Sequence, residues 1–153
     1  MSSKASRPQI ESLHHVKLAV SDLGCSLAFY ESFLGAERIP EADHHRESDG
    51  KLYGYILKVP DLGTMLELRL NADQAQKHRR FDQFTLAVKD RQALSDWSTF
   101  LDSKQLTHSP MIPAIQAWLI VVEDPDQNRW RLYTLEKHGR DIKPDEDNVW
   151  LQD

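Results

Sequence analysis

The sequence predicts an α+β fold, two βαβββ modules forming a funnel-shaped, barrel-like mixed sheet around one cavity. Three observations carry this. The segment from His14 to Asp22 recurs from Asp82 to Asp90, so that Gln83 lies 68 residues after His15. Each copy alternates apolar and mixed residues, as a strand does, and ends on an Asp placed to cap a helix. In each copy a run at helical spacing and then further strand-like runs follow.

In the first copy, the alternation over residues 14–22 predicts the opening strand. Asp22 then precedes Leu23, Leu27, Tyr30 and Leu34, which sit at helical spacing, and Gly35 supplies the stop. A second strand is expected near residues 36–39, and longer ones over residues 51–59 and 65–70. Residues 71–80 read as a polar linker. In the second copy, Asp90 precedes Leu94, Trp97 and Leu101, again at helical spacing. A short strand is expected near residues 107–110, and longer ones over residues 118–122 and 130–135. The run Asp124-Pro125-Asp126-Gln127-Asn128 reads as the tight turn of the last hairpin. The expected layout is therefore an N-terminal tail over residues 1–12 and one domain over 13–136, built from modules 13–70 and 81–136. An acidic tail over 137–153 follows, and its Trp150 and Leu151 are expected to dock on a neighbouring chain.

The totals fit a single globular domain. The 153 residues are 40% hydrophobic and 28% charged, enough to bury a core. A net charge of -5 argues against nucleic-acid binding, because no basic excess exists to neutralise phosphates. One cysteine, Cys25, excludes an intrachain disulfide and makes a reducing, cytoplasmic location the expectation. No apolar run approaches the ~20 residues needed to span a bilayer, and residues 1–9 lack the apolar stretch of a signal peptide.

The stretch LHHVKLAVSDLGCSLAFYESFLGA resembles the opening module of the vicinal oxygen chelate superfamily. That group includes glyoxalase I, extradiol dioxygenases, methylmalonyl-CoA epimerase and bleomycin-binding resistance proteins. The stretch EDPDQNRWRLYTL resembles the DPDGNxxEL hairpin that closes such modules. The likeness runs from Leu13 to Leu135 and implies a glyoxalase-like fold. In metal-dependent members, the first and last strands of each module supply one ligand each. By that resemblance the corresponding positions are His15, Glu67, Gln83 and Arg131. Gln83 replaces the usual His. Arg131 stands where a second Glu is expected, and a guanidinium has no lone pair to give a metal.

Strand alternation gives a reading independent of family. One face carries Val16, Leu18, Val20, Leu66, Leu68, Leu70, Phe84, Leu86, Val88, Trp130 and Leu132, and should pack under the helices. The other carries His15, Lys17, Met65, Glu67, Arg69, Gln83, Thr85, Arg131 and Tyr133. This polar face is either the solvated side of a sheet or, if the modules roll together, a pocket wall. Tyr53 and Tyr55 share one face of the preceding strand, and Tyr55 is a candidate for the wall. Lys17, Arg69 and Arg131 against Glu67 make the lining cationic, which favours a carboxylate, enolate or phenolate. A pair between Glu67 and Arg131 is expected.

The reading that follows is an acid/base enzyme, an isomerase, lyase or cyclase, acting without cofactor on an anionic or carbonyl-bearing small molecule. His15, Glu67 and Arg131 are the candidate catalytic residues, and Lys17, Arg69, Gln83, Thr85, Tyr133 and Tyr55 the substrate contacts. Two alternatives stand beside it. One is a divalent-metal enzyme of glyoxalase or dioxygenase type with His15, Glu67 and Gln83 as ligands. The other is a non-catalytic binder of the resistance type. The partners expected are a small-molecule substrate and a second copy of the chain, not nucleic acid or membrane. His44 and His45 read as a solvated loop, His78, His108 and His138 as lacking partners at ligand spacing, and Cys25 as an inert thiol.

Overall fold

The computed structural model describes residues 5–151. The chain begins with β1 (His15–Val20), then α1 (Leu23–Leu34), whose start is fixed by Asp22: its carboxylate accepts the Cys25 N–H at 2.8 Å. Gly35 ends the helix in the left-handed conformation, φ 63°. There follow β2 (Glu37–Arg38), one 3₁₀ turn (Pro40–Ala42), β3 (His44–His45), β4 (Leu52–Lys58) and β5 (Met65–Leu70). The expected linker contains a helix, α2 (Ala72–Lys77), which the sequence reading omitted. Asn71 caps it by accepting the Gln74 N–H, with Asp73 in its first turn and Lys77 in its last, the favourable ends for those charges. The second half runs β6 (Asp82–Val88), α3 (Arg91–Ser103), β7 (Ile112–Pro113), β8 (Trp118–Glu123) and β9 (Arg129–Thr134). Residues 107–110 make only a bridge, His108 to Val122, and the short paired strand lies at β7 instead.

The strands form two sheets, ordered β1-β5-β4-β2 with β3 added to β4, and β6-β9-β8-β7. In each, the first strand of the module pairs parallel with its last: Val16 with Leu66 and Leu18 with Leu68, then Phe84 with Trp130 and Leu86 with Leu132. The sheets are curved and do not close into a barrel. The apolar faces are those the alternation predicts. Leu18, Val20, Leu66 and Leu68 of the first sheet join Trp118, Ile120, Trp130 and Leu132 of the second in one buried core, with Phe29, Tyr30 and Phe33 of α1 and Leu94 and Leu101 of α3. Because both sheets turn their apolar faces to this shared core, their polar faces turn outward from it.

A buried polar clasp ties the halves together. The Tyr30 hydroxyl donates to Asp124 Oδ2 at 2.8 Å and accepts from Trp130 Nε1 at 2.9 Å. Asn128 donates to the same Asp124 oxygen at 2.9 Å and to the Ala19 carbonyl, at the end of β1, at 3.1 Å. Burial raises the Asp124 carboxyl above its usual value of 3.8, opposed by hydrogen bonds from Asn128 and Tyr30.

Residues 137–151 fold back on the chain's own second sheet, where Trp150 and Leu151 pack against Ile112, Leu119, Val121 and Tyr133. Among the described residues, no helix is long and apolar enough to cross a membrane.

Candidate functional site

The outward face of the first sheet carries the densest group of titratable side chains. Glu67, in the middle of β5, is 2% exposed. Its register neighbour on β1 is Lys17, and across β4 it faces the apolar Ile56. One carboxylate oxygen faces His15 Nε2 and His44 Nε2, each at 3.6 Å. The other faces Arg69 Nη2 at 2.9 Å and Lys17 Nζ at 3.6 Å. His15, Lys17, Arg69 and His44 all keep contact with solvent, so the buried carboxylate lies beneath a cationic rim.

His14 Nδ1 and His15 Nδ1 lie 2.9 Å apart, so one must donate to the other. Donation by His14 leaves the His15 proton on Nε2, the nitrogen that faces the carboxylate. Arg69 Nε and His44 Nδ1 are buried without a hydrogen-bond partner among the described residues. Buried polar atoms are normally satisfied, so two in one cluster mark a place where water or ligand completes the bonding. Beside the rim, His45, Arg46, Lys51, Tyr53 and Arg69 line an open depression of about 640 Å³. Arg69 lies over the Tyr53 ring at 4.9 Å.

Four predicted residues, His15, Lys17, Glu67 and Arg69, are thus brought together. The others are not. Gln83 donates to Asn128 Oδ1 at 3.1 Å and belongs to the clasp. Arg131 pairs with Asp82, so the expected Glu67–Arg131 pair does not form; each finds its partner within its own module. Thr85 is exposed on β6, and Tyr133 lies under the tail. Tyr55 is a correction: it stands opposite Leu68, on the helix side of the sheet, packed against the core with Arg38 over its ring at 4.5 Å.

The residue missed was His44, read as part of a solvated loop. It forms β3 and pairs with Gly54. Gly54 was the available signal, since a glycine inside a strand marks close approach of a neighbour. A Cβ there would lie 3.3 Å from His44 Cβ. Three further histidines have structural partners, His78 lying 2.7 Å from Gln74 Nε2. His108 sits between Asp102 and the Ser109 carbonyl, and His138 between the carbonyls of Ala114 and Gly139.

Fold and site together define a two-module α+β protein with a polar, cationic sheet face suited to a small molecule. The family model of the Glyoxalase/Bleomycin resistance protein/Dioxygenase superfamily matches residues 12–132, and the chain belongs to that superfamily. Solved structures agree in fold at low identity. The genomically encoded fosfomycin resistance protein FosX from Listeria monocytogenes is 16% identical with a TM-score of 0.63, over 82% of this chain and 94% of that one. The antibiotic binding protein TnmS3 from Streptomyces sp. CB03234 is 15% identical with a TM-score of 0.62, over 84% and 98%. A glyoxylase/bleomycin resistance protein/dioxygenase domain from Frankia sp. EAN1pec is 15% identical with a TM-score of 0.59, over 82% and 98%. No curated protein matches the sequence.

One FosX structure is a complex with Mn(II), so the fit of this chain to a metal needs testing. The four family positions do not compose a ligand set here: Arg131 offers no lone pair and is paired with Asp82, and Gln83 is bonded to Asn128. Among the described residues, no three His, Cys, Asp or Glu side chains form a group that could hold a metal ion. Around Glu67, beside His15 and His44, stand the fixed cations Lys17 and Arg69, whose charge opposes a metal ion.

Proposed function

We propose that the Glu67 cluster is an acid/base site for a small anionic, carbonyl-bearing molecule. The observation that carries this is the division of labour around one buried carboxylate: two imidazoles on one oxygen, two fixed cations on the other. A substrate carboxylate or carbonyl oxygen settles against Lys17 and Arg69. His15 exchanges a proton with the carbon beside that carbonyl. Glu67 orients the imidazole and balances the charge it takes up, while the two cations stabilise the enolate oxygen. Isomerisation, elimination and ring closure all begin with this step.

The test is exchange of the C3 protons of 2-oxobutyrate into D₂O, followed by proton NMR. Wild type is expected to catalyse it. His15→Ala should slow it by about 10²–10⁴, the usual contribution of a general base. Lys17→Met should chiefly raise KM. Wild-type turnover in His15→Ala would overturn the assignment. Binding of 2-oxo acids with no exchange in the wild type would favour the second reading, a non-catalytic binder, for which the likeness to an antibiotic binding protein is the supporting observation.

This reading uses no metal. Protein purified without added metal is expected to carry far less than one equivalent of Zn, Mn, Fe or Ni by elemental analysis. About one equivalent, removed with loss of exchange activity, would restore the metal alternative.

A further inference from the structure

The outward face of the second sheet is covered by the chain's own tail, and the manner of covering describes a ligand. Cross-strand register places Glu123 beside Arg129, Val121 beside Arg131 and Leu119 beside Tyr133 on this face. Ile112, next to Leu119, completes an apolar floor. Arg129 is 7% exposed. Its Nε donates to Glu123 at 3.0 Å, and its Nη1 donates to the Trp150 carbonyl at 2.9 Å. The same guanidinium lies 5.2 Å from the centre of the Trp150 ring. One residue thus gives Arg129 both a flat π-face and an acceptor oxygen, while its ring and the side chain of its neighbour Leu151 rest on the apolar floor.

The seat is lightly fastened. The tail is anchored upstream by the His138 N–H to Gln116 O at 2.8 Å and the Asp145 N–H to Pro113 O at 3.0 Å. Beyond those bonds, Trp150 sits in a single 3₁₀ turn, Val149–Leu151, where its N–H donates to Asn148 Oδ1 of the tail itself at 3.0 Å, and it is held to the sheet by Arg129 and by apolar contact. A segment with few anchors opens locally at small cost. When Trp150 leaves, Arg129 keeps Glu123 but loses an acceptor for a buried N–H, a costly vacancy that another oxygen can fill.

We propose that this face is a binding site for aryl-alkanoates, flat rings bearing a carboxylate two or three bonds away, and that Trp150 holds it as a built-in competitor. The ring would take the indole's place on the floor and over Arg129. The carboxylate would replace the Trp150 carbonyl with a charged acceptor, which pairs more strongly with a guanidinium. Arg131 stands one register position along the same face to widen the cationic edge. The site is separate from the Glu67 cluster and does not depend on its chemistry.

Indole-3-propionate is the probe, since it carries the tryptophan ring with a carboxylate at the spacing of its carbonyl. By calorimetry, full-length Trp150→Ala should bind it about tenfold more tightly than wild type, the gain expected if the tail is seated about 90% of the time. Arg129→Gln in the Trp150→Ala background should remove that gain, and indole without the carboxylate should show a smaller one. A second measurement uses the wild type alone. In a ¹H–¹⁵N spectrum, the Trp150 indole N–H should move on titration with the probe, while that of the buried Trp130 stays in place. Equal affinity in wild type and a folded Trp150→Ala overturns the proposal. So does a Trp150 signal unmoved by the probe at saturation, which decides the matter if the variant does not fold.

Discussion

At the scale of the residue, two buried carboxylates divide the work. Glu67 is compensated by Arg69 and Lys17 and sits at the surface of a sheet. Asp124 has no cation among its hydrogen-bond partners: four donors, two backbone N–H groups on Oδ1 and the Tyr30 and Asn128 side chains on Oδ2, satisfy it. Asp124→Asn replaces one acceptor oxygen with a donor facing two donors, and should destabilise the fold by about 1–3 kcal/mol in urea unfolding. The pH dependence follows from the direction of the shift. Burial raises the folded carboxyl above 3.8, so the folded state holds its proton to higher pH than the unfolded chain does. That contribution is fully present below pH 3.8 and is lost as pH rises through the folded value. The stability margin of wild type over Asp124→Asn should therefore shrink as pH rises from about 3.8 through the raised folded value. A margin that grows over that range would contradict the buried, uncompensated carboxyl.

At the scale of the element, the helix and strand signals were readable because each rested on local chemistry. Asp22 and Asp90 cap as their positions suggest, and strict alternation put Val16, Leu18, Phe84 and Leu86 on the core side. Asp22 also raises the Cys25 thiol, which keeps that exposed cysteine in its unreactive form. Elements of two residues have no period to read, and β3 was missed for that reason, taking His44 with it. Tyr55 was misplaced because its face depends on pairing with Leu68, which alternation along one strand does not reveal. Gly54 is the hinge of this local arrangement. Gly54→Ala puts a methyl 3.3 Å from both His44 Cβ and the Leu68 carbonyl, tighter than ordinary contact. It should cost about 1–3 kcal/mol by overpacking and, by pushing β3 outward, lower activity at the Glu67 site more than His45→Ala does. Thermal unfolding and the exchange assay read the two effects separately.

At the scale of the whole molecule, the repeat predicted two modules but not how they face each other. Periodicity says which side of a sheet is apolar; which other sheet covers that side is decided by long-range packing. Here both apolar faces meet in one core, so the polar faces cannot share a pocket within the chain, and Gln83 and Arg131 part from His15 and Glu67. Among the described residues, β1 and β6 each keep one edge without a strand partner. A cleft of about 670 Å³ runs between them, lined by Leu13, Val16, Phe84, Leu86 and Trp97 among others. Exposed Ile10, Leu13 and Phe81 lie near these edges in sequence. Open edges flanked by apolar side chains invite pairing, and the expected outcome is a homodimer. Light scattering at about 50 μM should give twice the chain mass, since specific interfaces commonly reach micromolar affinity; a monomer at that concentration would count against it.

The clasp between Tyr30 and Asp124 also sets an order of events during synthesis. The two residues are 94 positions apart, and Asn128 lies 109 positions from the Ala19 carbonyl it bonds. At a ribosome's pace of about 5–20 residues per second, the first half emerges some 5–20 s before its partners. Throughout that interval the Tyr30 hydroxyl has no Asp124, and Leu18, Leu66 and Leu68 have no second sheet against which to close. The nascent first half is therefore a sticky, half-covered layer, and its safe passage depends on how quickly the last hairpin follows it out.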